Sequence, residues 1–193
     1  MKYNPDIHHR RSIRLQNYDY SAAGAYFVTI CTVDRECLFG EVVDGKMRLN
    51  DMGQIVREEW LSTAEIRENV IIDKFVVMPN HFHGVLIFED GRGTACRAHD
   101  VGGNLGQGTA RRAPTVESFG RPVVGSLATV IRSFKSAATK RINQLRDNPG
   151  VPVWQRNYYE RVIRNNRELQ SIQQYIVDNP ATWQEDENYP AHL

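Results

Sequence analysis

The sequence lacks most of what would set it apart from ordinary soluble proteins. Its three cysteines, Cys31, Cys37 and Cys96, are odd in number and form no CxxC pair. Neither a disulfide framework nor a four-cysteine zinc site is expected, and a reducing cytoplasm fits best. No apolar run approaches the ~20 residues that a membrane span requires, so no membrane partner is expected. The opening stretch, MKYNPDIHHRRSIRLQ, has no apolar centre like that of an export signal. A large net charge is missing too, with 24 Lys and Arg against 23 Asp and Glu. What remains is a chain of 193 residues, 41% hydrophobic and 24% charged. That suits one domain spanning 1–193 with a real core.

The near-zero net charge hides an asymmetry. Between Gly125 and Arg167 there are nine basic residues, Arg132, Lys135, Lys140, Arg141, Arg146, Arg156, Arg161, Arg164 and Arg167, against Asp147 and Glu160. Between Asp34 and Glu68 there are nine acidic and five basic residues. Such a distribution fits an electrostatic footprint for a polyanion, or equally a set of solvated helix faces whose charges never converge.

Residues 1–20 are polar and basic, an arm rather than a packed element. AYFVTICTV (25–33) is aromatic and β-branched, as expected of a central strand apolar on both faces. Asp44-Gly45 marks a hairpin turn within LFGEVVDGKMRL. A helix follows, with Asp51 and Gln54 as a capping box and Ile55, Val56, Trp60 and Ala64 on one face. Two strands, Val70–Met78 and His81–Phe88, flank the turn signal Pro79-Asn80. Residues 89–122, rich in Gly, Arg, Ala and Thr, follow no structural period and are expected to be a mobile insertion. Ser126–Arg146 has a helical stripe, Leu127, Val130, Ile131, Phe134, Ala138, Ile142 and Leu145. A strand over Val151–Ile163 and a helix over Arg167–Asp178, stopped by Asn179-Pro180, complete the chain. The order β-α-β-β-α-β plus a final helix predicts an α+β, ferredoxin-like split βαβ fold. Its antiparallel sheet carries helices on one face, with the C-terminal helix added; the fold alone fixes no function.

Strand residues two apart share a face, so His81 and His83 project together while Phe82 points to the other side. Two imidazoles at the start of a strand, where solvent and substrate reach, can share one divalent ion; they can also be two histidines with no common ligand. On the last helix, Tyr175 and Asn179 lie one turn apart. They could bring a phenol and an oxygen ligand to the histidines, or be a packed tyrosine and a helix stop. A phenol titrates near 10, so it needs electrostatic help to act as a nucleophile at neutral pH.

The stretch VVMPNHFHGVLIF resembles the histidine-hydrophobic-histidine strand of the HUH single-strand endonucleases. VWQRNYYERVIRN and YIVDNP resemble the single-tyrosine transposases, especially the REP-associated tyrosine transposases. The similarity runs from residue 25 to about Pro180, interrupted by the Gly/Arg stretch, and three motifs in order make it specific. The resemblance implies that Tyr175 is the nucleophile and that Asn179 joins His81 and His83 around Mg²⁺ or Mn²⁺. It implies a 5′-phosphotyrosine formed on hairpin-bearing single-stranded DNA, by a cytoplasmic, nucleoid-associated monomer or homodimer. The asparagine, where relatives from insertion sequences carry glutamine, points to the REP-associated branch.

Backbone contacts to DNA are expected from the arm (Arg10, Arg11, Arg14), from the basic helix (Arg132, Lys135, Lys140, Arg141) and from Arg156. Tyr158 and Tyr159 are rival phenols, better suited to packing or base stacking. Two other functions compete with the transposase. A non-catalytic nucleic-acid module on this fold would stack bases, but HFHGVLIF lacks the expected aromatic signature. A zinc hydrolase would need a third ligand that neither Glu89 nor His99 is placed to provide.

Overall fold

Alternation along Gly24–Cys31 (β1) and His81–Phe88 (β5) decides how the chain layers. Tyr26, Val28 and Ile30 of β1 share one sheet face with Phe82, Leu86 and Phe88 of β5; Phe27 lies on the other face with Val85. The computed structural model describes residues 18–89 and 125–192. Arg10, Arg11 and Arg14, with nearly all of the basic arm and of the 89–122 insertion, lie outside the described residues.

Between β1 and β5 run a hairpin, Gly40–Val43 (β2) and Lys46–Leu49 (β3), the helix Asp51–Glu65 (α1) and the strand Val70–Val77 (β4). After β5 come the helix Leu127–Leu145 (α2), the strand Tyr159–Ile163 (β6) and the helix Asn166–Asp178 (α3). The main sheet has the order β4-β5-β1-β6, antiparallel throughout. This is the ferredoxin-like arrangement. α1 and α2 pack on the face that carries Phe82, whose ring lies 4.5 Å from Trp60 of α1 and 5.4 Å from Phe134 of α2. α3 crosses the opposite face, burying Ile176 with Phe27, Val85 and Ile163. The sheet is therefore covered on both sides, and the second cover is the helix that carries Tyr175.

Local chemistry accounts for the element ends. Asp44 and Gly45 both take positive φ, 51° and 69°, the conformation a two-residue hairpin turn demands. The cap of α1 is one residue earlier than the sequence suggests: Asn50, not Asp51, accepts the Gly53 N–H at 2.9 Å. At the start of α3, Asn165 caps the Glu168 N–H, and Glu168 reaches back to the Arg164 N–H. Leu145, assigned to the apolar stripe of α2, is 51% exposed at its end. The strand expected over 151–163 is confined to its last five residues. The carbonyls of Gln155, Arg156 and Asn157 turn toward the Lys135 ammonium at 2.6–3.5 Å and leave the ladder; only Trp154 keeps an isolated bridge to Thr32.

Candidate active site

Cross-strand register brings the site together. His81 opposes Cys31, and His83 opposes Thr29 on one side and Val76 on the other. The two imidazoles share a face as their spacing requires, with ring centroids 4.5 Å apart. They do not stand open to solvent as expected from a strand start: His81 is 0% and His83 3% exposed. The reason lies beyond α3. After Pro180 the chain turns back over the sheet end and lays Trp183 5.7 Å from His81. Phe27 stacks on His83 from the next strand, 5.4 Å away.

Hydrogen bonding fixes which nitrogen of His81 holds the lone pair. The Asn80 amide nitrogen donates to the Arg35 and Asn188 carbonyls, so Asn80 Oδ1 is the atom that faces His81 Nδ1 at 2.9 Å. His81 Nδ1 must therefore carry the proton, leaving Nε2 with a lone pair directed into the protein. That Nε2 has no hydrogen-bond partner. His83 lies between two hydroxyls, each able to donate or accept, with Nδ1 2.8 Å from Thr29 Oγ1 and Nε2 3.2 Å from the Tyr175 hydroxyl. Burial pushes the His81 pKa down to about 4, more than the nearby Asp186 and Asn179 raise it. Burial and the neighbouring His81 hold His83 well below the ordinary value. Both rings are thus neutral bases at pH 7, the form that binds a metal.

Tyr175 and Asn179 meet the histidines. Tyr175 is 45% exposed while its hydroxyl meets His83. Burial, then Asp186 and Glu187, push this phenol up to about 12, and Asn179 acts in the opposite direction. Asn179, 1% exposed, donates its Nδ2 to Asp186 Oδ2 at 2.9 Å, and its Oδ1 has no partner.

Asp186 was not anticipated from the sequence. Burial alone would raise its carboxyl, but donors from Asn188 and Asn179, with His81 close by, hold it below the usual range. It completes a buried group with His81 and His83 whose ligand atoms all lie within 4.8 Å of one another. This is the third ligand that a hydrolase reading needed and that neither Glu89 nor His99 is placed to provide. With His81 neutral, the 4.0 Å approach of its Nε2 to Asp186 is not an ion pair. The site thus gathers acceptors: two imidazole lone pairs, an amide oxygen and a carboxylate. Two of them, His81 Nε2 and Asn179 Oδ1, have no donor; buried acceptors left without donors fit a cation, and the mix of nitrogen and oxygen suits a divalent one.

The expected DNA contacts lie elsewhere. Arg132, Lys135, Lys140 and Arg141 sit on α2, across the sheet from the histidines. Arg141 binds Glu58 and Glu59 of α1, and Lys135 braces the 155–157 loop, where burial lowers its pKa to about 8. Arg132, Lys140 and Arg156 are exposed. Of the rival phenols, Tyr158 packs toward the core, while Tyr159 is 42% exposed with its ring 6.4 Å from Phe27, on the histidine face.

The fold has a solved counterpart. A REP-associated tyrosine transposase bound to a REP hairpin matches with a TM-score of 0.52 and 18% identity, over 83% of this chain and 68% of that one. The chain has the transposase fold. It belongs to one family with an uncharacterised protein of Haemophilus influenzae, to which it is 39% identical over 190 residues, 97% of each chain. No protein-family model matches it. Among the described residues no helix is long and apolar enough to cross a membrane.

Proposed function

We propose that the protein is a REP-associated tyrosine transposase, a nickase and ligase of single-stranded DNA that bears a hairpin. Tyr175 is the nucleophile, and His81, His83 and Asn179 hold Mg²⁺ or Mn²⁺. The observation that carries this reading is the Tyr175 hydroxyl 3.2 Å from His83 Nε2, beside the unpartnered His81 Nε2 and Asn179 Oδ1.

The residues divide the work as follows. Asn80 and Thr29 orient the imidazoles, and Phe27 and Trp183 keep water from them. The bound divalent ion supplies charge neutralisation at the phosphate under attack. With an ion held there, His83 Nε2 would have no lone pair left for the Tyr175 hydroxyl, and the part-exposed Tyr175 side chain would be free to present that hydroxyl to the phosphate. Tyr175 Oη then bonds to phosphorus, the bond from phosphorus to the 3′ oxygen breaks, the phenol proton passes to solvent, and the departing 3′ oxygen takes one up. The 5′-phosphotyrosine conserves the phosphodiester for rejoining when a 3′ hydroxyl attacks in reverse. A zinc hydrolase gains Asp186 as a ligand but gives Tyr175 no task.

The experiment is incubation with a hairpin oligonucleotide and Mn²⁺, followed by a denaturing gel. A covalent protein–DNA band is expected from the wild type and none from Tyr175→Phe, with binding retained. An adduct formed by the Phe variant overturns the assignment, and cleavage without any adduct supports the hydrolase.

A further inference from the structure

The orientation of a carboxamide is ordinarily ambiguous, because its two ends have the same shape and opposite hydrogen-bonding character. At Asn179 it is decided by what lies at each end. Asp186 accepts three donors on its two oxygens: the Asn188 N–H at 2.7 Å, Asn188 Nδ2 at 2.8 Å and Asn179 Nδ2 at 2.9 Å. It is an acceptor only, so Asn179 has to present nitrogen to it and oxygen to the other side. The Asp186 turn is itself braced. Arg35 donates to Asn188 Oδ1 at 2.7 Å, and Asn80, the residue that orients His81, donates to the Asn188 carbonyl at 2.8 Å. One buried chain of hydrogen bonds therefore joins His81, Asn80, Asn188, Asp186 and Asn179.

We infer that Asp186 is a positioning residue for the cation site: by accepting the Asn179 amide nitrogen it points the Asn179 oxygen toward the two imidazoles. The inference rests on the cation reading above and deepens it. It extends the site past the last motif shared with the tyrosine transposases, to the turn formed by Trp183–Asn188. Without Asp186 the amide rotates freely between an end that ligates a cation and an end that repels it.

An exchange of the two side chains tests this. Asp186→Asn keeps an oxygen for the Asn188 N–H but turns a nitrogen toward Asn179, which then flips. Mn²⁺ affinity, read from the electron paramagnetic resonance signal of the free ion, should fall about tenfold or more, as for other residues that orient ligands. Adding Asn179→Asp to that variant reverses the pair, with a donor at position 186 and an acceptor at 179. One carboxylate oxygen again faces the imidazoles, and most of the affinity should return. A direct ligand role for Asp186 predicts no recovery, because the acid is then missing from position 186. Thermal melts of both proteins are run alongside; if Asp186→Asn does not fold, the exchanged protein decides alone. Asp186→Asn binding like wild type, or an exchanged protein no better than wild type without its His81 imidazole, overturns the inference. In the same titration His81→Ala reports on the cation reading: a folded wild type that binds Mn²⁺ no better than His81→Ala overturns that reading and the inference with it.

Discussion

His81 stores free energy in its protonation state. Its folded pKa of about 4 lies below the unfolded value of 6.5, so the unfolded chain binds the proton more readily at every pH between them. The stability that follows is fully present above 6.5 and is lost as pH falls toward 4. For a shift of this size it amounts to roughly 3 kcal/mol. His83, also held low by burial, adds in the same direction. Urea unfolding without divalent ions at pH 7.5, 6.5, 5.5 and 4.5 should therefore show a falling midpoint, and His81→Gln should show a flatter dependence. Parallel pH curves for the two proteins would mean that His81 is not a buried neutral base. At this scale the sequence reveals the pair and its common face, since a period of two is geometric. It does not reveal burial, because the covering residues, Trp183 and Asp186, follow the last helix in a stretch with no periodic signal. A carboxylate that arrives by a backward turn leaves no mark in spacing.

Elements were legible where one signal dominated. β5 ran from His81 to Phe88 as its alternation indicates, and α3 stopped at its Asn-Pro. β6 was overestimated because its apolar and aromatic residues suit a strand, while a side chain on another element, Lys135, claimed the carbonyls. β5 also carries a requirement written as a glycine. A Cβ at Gly84 would stand 2.7 Å from Trp60 Cζ2 and 2.8 Å from Phe82 Cε1, under the closely packed α1. Both rings are fully buried, so neither has room to withdraw. Gly84→Ala should cost about 1–3 kcal/mol through overpacking, despite the better strand propensity of alanine. The measurement is a urea midpoint at unchanged slope. Because Gly84 follows His83 directly, Mn²⁺ affinity should weaken in the same variant; an unchanged midpoint would show that α1 yields at no cost.

On the scale of the whole molecule, the basic residues of α2 and the site occupy different sides. α2 carries its exposed Arg132 and Lys140 on the far side of the sheet from Tyr175, so no short path would join them to a phosphate under attack in the proposed reaction. Their proposed role is therefore to hold backbone away from the chemistry, as a hairpin stem or a flanking strand would allow. Such contacts leave a thermodynamic signature. Each neutralised phosphate contributes about 0.7 to the slope of log affinity against log salt for a single strand and about 0.9 for a duplex. Replacing Arg132 and Lys140 together by alanine should lower the slope for a hairpin oligonucleotide by about 1.4–1.8. The yield of covalent adduct at saturating DNA should stay the same, because the nucleophile and its neighbours are untouched. Arg141→Ala separates the two uses of charge on this helix: its guanidinium already answers Glu58 and Glu59, so its removal should leave the slope nearly unchanged. An unaltered slope in the double variant would reduce the basic face of α2 to a solvated surface, and the phosphate contacts would then have to be sought among Arg156 and the arginines of the N-terminal arm.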